Sequence, residues 1–144
     1  MKRSSVPAQS KLLTAAQIRK QVIALVEALP EAEAKESGGQ HLSLEVRGKR
    51  FGWYLDDHHG DGRLAINCRA PIGESQALAA SAPENFHIPK YVGHRGWLGM
   101  WLDLPQLDWA EVEGVLVEAY LMTAPKKLAE QLRQRILQQP VKAE

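Results

Sequence analysis

Residues 86–128 read FHIPKYVGHRGWLGMWLDLPQLDWAEVEGVLVEAYLMTAPKKL, and the fold turns on how this stretch divides. Residues 86–95 are punctuated by Pro89 and Gly93, which suits an irregular approach segment. Residues 97–104 then set large apolar side chains alternately with smaller or variable ones, the pattern of a strand with one buried face. Asp108 opens a helix, since with Glu111 it makes a capping-box-like pair in which each side chain can accept a backbone N–H at the helix start. Val112, Val115, Leu116, Ala119 and Tyr120 follow Trp109 at helical spacing, while Glu111, Glu113 and Glu118 fall off that stripe. A second helix is predicted from Thr123, with Pro125 tolerated in its first turn because that N–H would be unpaired anyway. A Trp-rich strand and a helix pair thus form the expected core.

Upstream, Thr14 and Gln17 are spaced as a capping box, and Leu13 and Ile18 as a hydrophobic staple. The helix they start buries Ile18, Val22, Leu25 and Leu29 and ends at Pro30. The acidic residues 31–39, with Gly38-Gly39, offer little to bury and read as a loop. Residues 40–69 read as a β-meander. Leu42, Leu44 and Val46 alternate with polar residues, Arg47-Gly48-Lys49-Arg50 makes a basic turn, and Phe51, Trp53 and Leu55 resume the alternation. After a polar turn at 56–62, Leu64, Ile66 and Cys68 share a face. A short helix is expected at 74–80 between Gly73 and Pro83. The predicted fold is α+β: an N-terminal helix, a single antiparallel sheet of about five strands and a C-terminal helix pair, packed as two layers. Leu25, Leu44, Phe51, Ile66, Trp97, Val112, Leu116 and Tyr120 are the expected core.

A chain of 144 residues that is 44% hydrophobic suits one compact core, assigned here to 11–138, with polar tails at 1–10 and 139–144. The single Cys68 rules out an internal disulfide framework and points to a reducing, cytoplasmic setting; the thiol itself reads as a packed hydrophobe. No apolar run approaches the roughly 20 residues of a membrane span, and the N-terminus lacks the apolar segment of a signal peptide. A monomer with no membrane contact and no cofactor is expected.

A net charge of +1 argues against a generic polyanion binder, so any nucleic-acid face must come from local clustering. Residues 1–20 carry five basic and no acidic side chains, and residues 123–144 carry five basic and two acidic. The loop before Trp97 interleaves Lys90, His94 and Arg95 with Phe86 and Tyr91, a mixture that suits phosphates and bases. The competing reading makes it a tight turn with Tyr91 and Trp97 packed beneath. Lys126 and Lys127 lie in the first turn of the last helix, where cations are mildly unfavourable for stability but add to the field that an anion meets. The turn Asp56-Asp57-His58-His59-Gly60-Asp61-Gly62 carries metal-ligating types but neither the spacing of a zinc site nor that of an EF-hand, so no metal is assigned. No phosphate loop and no Gly-x-Ser-x-Gly elbow occurs, and a non-enzyme is expected.

The segment Pro89, Tyr91, Val92, Gly93, Gly96, Trp97, followed by Asp108-Trp109, Tyr120 and Ala124-Pro125-Lys126, resembles the MmcQ/YjbR family of small bacterial proteins over roughly residues 14–135. The resemblance implies a frataxin/CyaY-like α/β domain and a DNA-binding role through a double wing of β-hairpins. The cations at those wings and at the last helix would be Lys49, Arg50, Lys90, His94, Arg95, Lys126 and Lys127. Frataxin-like iron binding does not carry over, because the first helix holds a single acid, Glu27. Lys90 stands where many relatives have Pro, whereas Asn67 and Trp101 stand where Lys and Arg are common. The alternative is a protein-interaction module that presents Met100 and Trp101 on an exposed edge.

Overall fold

The computed structural model describes residues 13–139. Thr14 caps α1 (Ala15–Glu27) as expected: its Oγ1 accepts from the Gln17 N–H at 3.1 Å, and its own N–H donates to Gln17 Oε1 at 2.8 Å. Leu13 is 44% exposed, so the staple is at most partly formed. Ile18, Val22 and Val26 are the buried face, with Leu29 just beyond the helix. Leu25 is only half-buried, because the stripe is centred on the Val22–Val26 ridge and leaves Leu25 at its flank.

The acidic segment expected to be a loop contains a strand, β1 (Ala32–Glu36). It pairs antiparallel with β2 (Leu42–Val46), placing Ala32 opposite Val46 and Ala34 opposite Leu44. An edge strand needs only backbone partners and small inward side chains, and its outward Glu33 and Lys35 discourage further strand addition. The turn to β3 (Lys49–Asp56) is Arg47-Gly48, both at positive φ (53° and 79°), a two-residue hairpin loop that places Lys49 and Arg50 in the strand itself.

β3 carries a bulge. Leu44 faces Gly52 and Glu45 faces Arg50, so Phe51 is the extra residue. The expected alternation of Phe51, Trp53 and Leu55 is therefore split. Phe51 turns to the helices and packs edge-on against Tyr120 (centroids 5.9 Å apart), while Trp53 and Leu55 face the other way. β4 (Leu64–Cys68), the two-residue β5 (Phe86–His87) and β6 (Leu98–Trp101) complete a six-stranded antiparallel sheet ordered β1-β2-β3-β4-β6-β5. The strand expected over 97–104 is thus shorter, and the approach segment contributes an edge strand of its own.

One row across the sheet, Leu42–Tyr54–Ile66–Met100–Phe86, is buried throughout. It lies under α1 and α3 (Trp109–Thr123), whose Val112, Leu116, Ala119 and Tyr120 are buried. Each such large apolar side chain contributes on the order of 1.5–3 kcal/mol. Asp108 caps α3 by accepting from the Ala110 and Glu111 N–H groups, and Glu111 adds negative charge to the first turn. The last helix, α4 (Lys126–Leu137), starts later than the predicted Thr123, which belongs to α3. Pro125 disfavours helical backbone at Ala124, and both residues are extended. The short α2 (Glu74–Ser81) lies by β5. The tails assigned to 1–10 and 139–144 fall outside the described residues, apart from Gln139.

Candidate nucleic-acid interface

With the helices packed on one face of the sheet, the other face is open. Its central row, fixed by the register, is Ser43–Trp53–Asn67–Gly99–His87, and beside it run Leu55, Ala65 and Trp101. The loop after β5 and the turn after β3 rise as walls, and together they enclose a cavity of about 600 Å³ lined by Trp53, Asn67, His87, Lys90, Tyr91 and Trp101 among others. That volume lies in the range of small-ligand pockets.

Cations are held over aromatic rings on this face. The Arg50 guanidinium sits 4.0 Å from the centre of the Trp53 ring, and its Nε donates to Ser43 Oγ at 2.8 Å. Arg63 Cζ sits 3.9 Å from the Trp101 ring centre, and His87 stacks on Trp101 at 3.9 Å and 24°. Arg63 also donates two hydrogen bonds to Asp103, at 2.8 and 2.9 Å. Burial alone would raise the Asp103 pKa, but hydrogen bonds from Arg63 and from the Leu64 N–H outweigh it and hold the carboxyl below its usual range. On the opposite wall the rings of His41, His58, His59 and Tyr91 follow one another at centroid separations of 5.7, 4.0 and 5.3 Å. His41 Nδ1 accepts from the Asp56 N–H. Burial, then the neighbouring His59 and His41, lower the His58 pKa; burial, then Arg63, lower that of His87.

Of the seven cations singled out in the sequence, Arg50 and Lys90 reach this face. His94 and Arg95 are exposed in the 3₁₀ turn Gly93–Arg95, outside the cavity lining. Lys49 pairs with Val46 and so points to the helix side, opposite its neighbour Arg50. Lys126 and Lys127 are exposed at the start of α4, in the helix layer. Arg69, just past β4, donates to Met122 O and Thr123 Oγ1, which brings that helix start to the end of the sheet where β3 begins. The seven therefore do not form one surface.

The edge proposed for a protein partner is also revised. Met100 is fully buried in the core, and Trp101 is half-covered by His87 and Arg63. Tyr91 and Trp97, expected to share one fate, are divided: Trp97 is buried and Tyr91 is 59% exposed. Asn67, noted in the sequence only as a lost cation, and His87, not singled out there, are set in one row by the strand register. The turn at 56–62 supplies His58 and His59 to the cavity, while among the described residues no group of three or more His, Cys, Asp or Glu side chains is disposed to hold a metal ion. Among the described residues no helix is long and apolar enough to cross a membrane.

No curated protein sequence matches the chain. A solved structure that it resembles is the crystal structure of Deinococcus radiodurans protein DR2400, a DUF419 domain. The TM-score is 0.57 at 14% identity, over 70% of this chain and 74% of that one, a likeness of fold. The family model named YjbR matches residues 27–122, which include the whole sheet and nearly all of α3. The chain belongs to the YjbR family.

Proposed function

We propose that this YjbR-family chain is a non-enzymatic DNA-binding protein whose contact surface is the open sheet face and the loop beside it. The observation that carries this reading is the pair of cations seated on aromatic rings on the one face no helix covers, Arg50 on Trp53 and Arg63 on Trp101, with Lys90 and Tyr91 in the loop that lines the same cavity. Cationic side chains track phosphates, and ring faces stack on unpaired bases whatever their sequence, so the combination suits a single strand better than an intact duplex. Arg63 is already paired with Asp103, which leaves Arg50, Lys90 and the nearby Arg95 as phosphate partners. A cysteine nucleophile is left out of the reading because the Cys68 thiol is buried and burial pushes its pKa far up, away from the thiolate a nucleophile needs.

The test is fluorescence anisotropy with a labelled single strand and its duplex at several salt concentrations. With three phosphate contacts, log K for the single strand is expected to fall against log salt with a slope of about −2, and Arg50→Ala or Lys90→Ala should each reduce the slope by about 0.7. Absence of binding to either form at concentrations up to about 100 μM at low salt rejects the reading, since non-specific binders usually reach that range.

A further inference from the structure

We infer that His41, His58 and His59 form a proton-sensitive latch that holds the two walls of the open-face cavity together at neutral pH and lets them part in mild acid. The inference goes beyond the DNA reading and stands or falls without it, since it concerns how the walls are held and not what they meet.

The turn at 56–62 follows β3 and the loop at 88–95 follows β5, strands with β4 and β6 between them. Among the described residues no hydrogen bond and no salt bridge joins these two walls. What joins them is a run of rings. His41 lies edge-on to His58 at 5.7 Å, His58 meets His59 at 4.0 Å, and His59 meets Tyr91 of the loop at 5.3 Å. The turn is also strained, with Asp57 and His59 both at positive φ (57° and 56°), where residues other than glycine are uncommon. Such a backbone keeps its shape only while its surroundings hold it.

Two features make that hold depend on protons. His41 Nδ1 accepts from the Asp56 N–H at 3.1 Å, and an imidazolium carries a proton on both nitrogens, so charging His41 unhooks the end of β3 where the turn begins. Imidazoles in series also become like charges at close range. Their surroundings do not compensate. The carboxylates of Asp57 and Asp61 accept from the Gly62 and Arg63 N–H groups, and among the described residues no acid, Asp56 included, forms a salt bridge with a histidine. The nearby cations are Arg63 and Lys90 in the cavity lining and Arg19 of α1, which donates to Gln40 O beside His41. Arg63 is paired with Asp103 and Arg19 with Glu36, and His87 is the remaining titratable group of the lining. Burial first, then His59 and His41, already disfavour the charged form of His58, with Asp61 opposing them.

The experiment is NMR of the intact protein at about pH 7.5 and about pH 5.5, on either side of the histidine range. The opening constant of the Asp56 amide, read from hydrogen exchange corrected for intrinsic rate, should rise about tenfold on acidification, the ratio expected when opening frees one imidazole to take up a proton. At about pH 5.5 that amide should open more readily than the Ile66 amide in the neighbouring strand. Over the same interval the Tyr91 ring resonances should move to the position of an unstructured tyrosine. His59→Asn removes the ring that meets Tyr91, at an exposed position whose left-handed backbone asparagine adopts readily. In that variant the Tyr91 resonances should hold the unstructured position at both pH values. An Asp56 amide that opens equally at both pH values, or opens only together with Ile66, overturns the latch. So do Tyr91 resonances that ignore pH in the wild type, or that still follow it in His59→Asn.

Discussion

Two tyrosines occupy the core, and their hydroxyls fare differently. Tyr120 OH donates to Pro30 O at 2.6 Å and so ties α3 to the segment that ends α1. Tyr54 is equally buried, but its OH has no partner, and burial, then Asp56, pushes its pKa up to about 12. Removing a satisfied buried hydroxyl leaves its acceptor stranded, whereas removing an unsatisfied one relieves a desolvation cost. Tyr120→Phe should therefore lower the unfolding free energy by about 1–2 kcal/mol and Tyr54→Phe should leave it unchanged or raise it by up to about 1 kcal/mol, read from urea denaturation midpoints. Equal losses for both would mean that the Tyr54 hydroxyl has a partner after all. Gly52 is a third residue whose side chain, or lack of one, matters. A Cβ there would lie 2.9 Å from Cys68 Sγ and 3.1 Å from the Asn67 carbonyl oxygen, so Gly52→Ala should cost about 1–3 kcal/mol by overpacking.

At the scale of elements, the bulge in β3 and the short β5 create the open face. Without the bulge at Phe51, strict alternation would carry either Phe51 out of the core or Trp53 into it. β5 is only two residues long, yet it delivers His87 to the row that contains Asn67 and lets the following loop fold back as a wall. Deleting Phe51 should restore regular pairing at the expense of the core. The expected outcome is a protein that has lost most of its cooperative unfolding transition, observed by near-UV circular dichroism on heating. A deletion variant that melts like the wild type would show that the strand re-registers without penalty. The hairpin turn depends on Gly48 at φ 79°, and Gly48→Val should destabilise by about 1–2 kcal/mol, because a β-branched residue resists the left-handed region.

Across the whole molecule, titration links the open face to stability. His58 and His87 both have pKa values held below the ordinary 6.5, so the folded protein prefers them neutral. The stability they contribute is fully present above about pH 6.5 and is lost as pH falls through that value toward their folded-state pKa values. Chemical denaturation should therefore give a lower midpoint at about pH 5.5 than at about pH 7.5, and a His58→Gln/His87→Gln double variant should flatten the difference. An unchanged slope in the double variant would assign the dependence to other groups. Much of this architecture is legible in the chain. The Thr14–Gln17 box, the Asp108 cap, the alternation of Leu42–Val46 and of Leu64–Cys68, and the stripe of α3 each rest on neighbours a few residues apart, and periodicity records such short-range physics. What escaped it was decided by pairing. The strand at Ala32–Glu36 exists because β2 offers it backbone partners, which its charged composition does not announce. The fates of Lys49 and Arg50 diverge because adjacent strand residues point to opposite faces, and the Trp53 face depends on a bulge one residue wide. The sequence by itself determined the helices, most of the strands and most of the core, since those follow from burying apolar periodicity, though not the half-buried Leu25 or the buried Met100. Only the tertiary structure decided which polar side chains meet, because Asn67, Gly99 and His87 become neighbours through strand register between segments far apart in the chain.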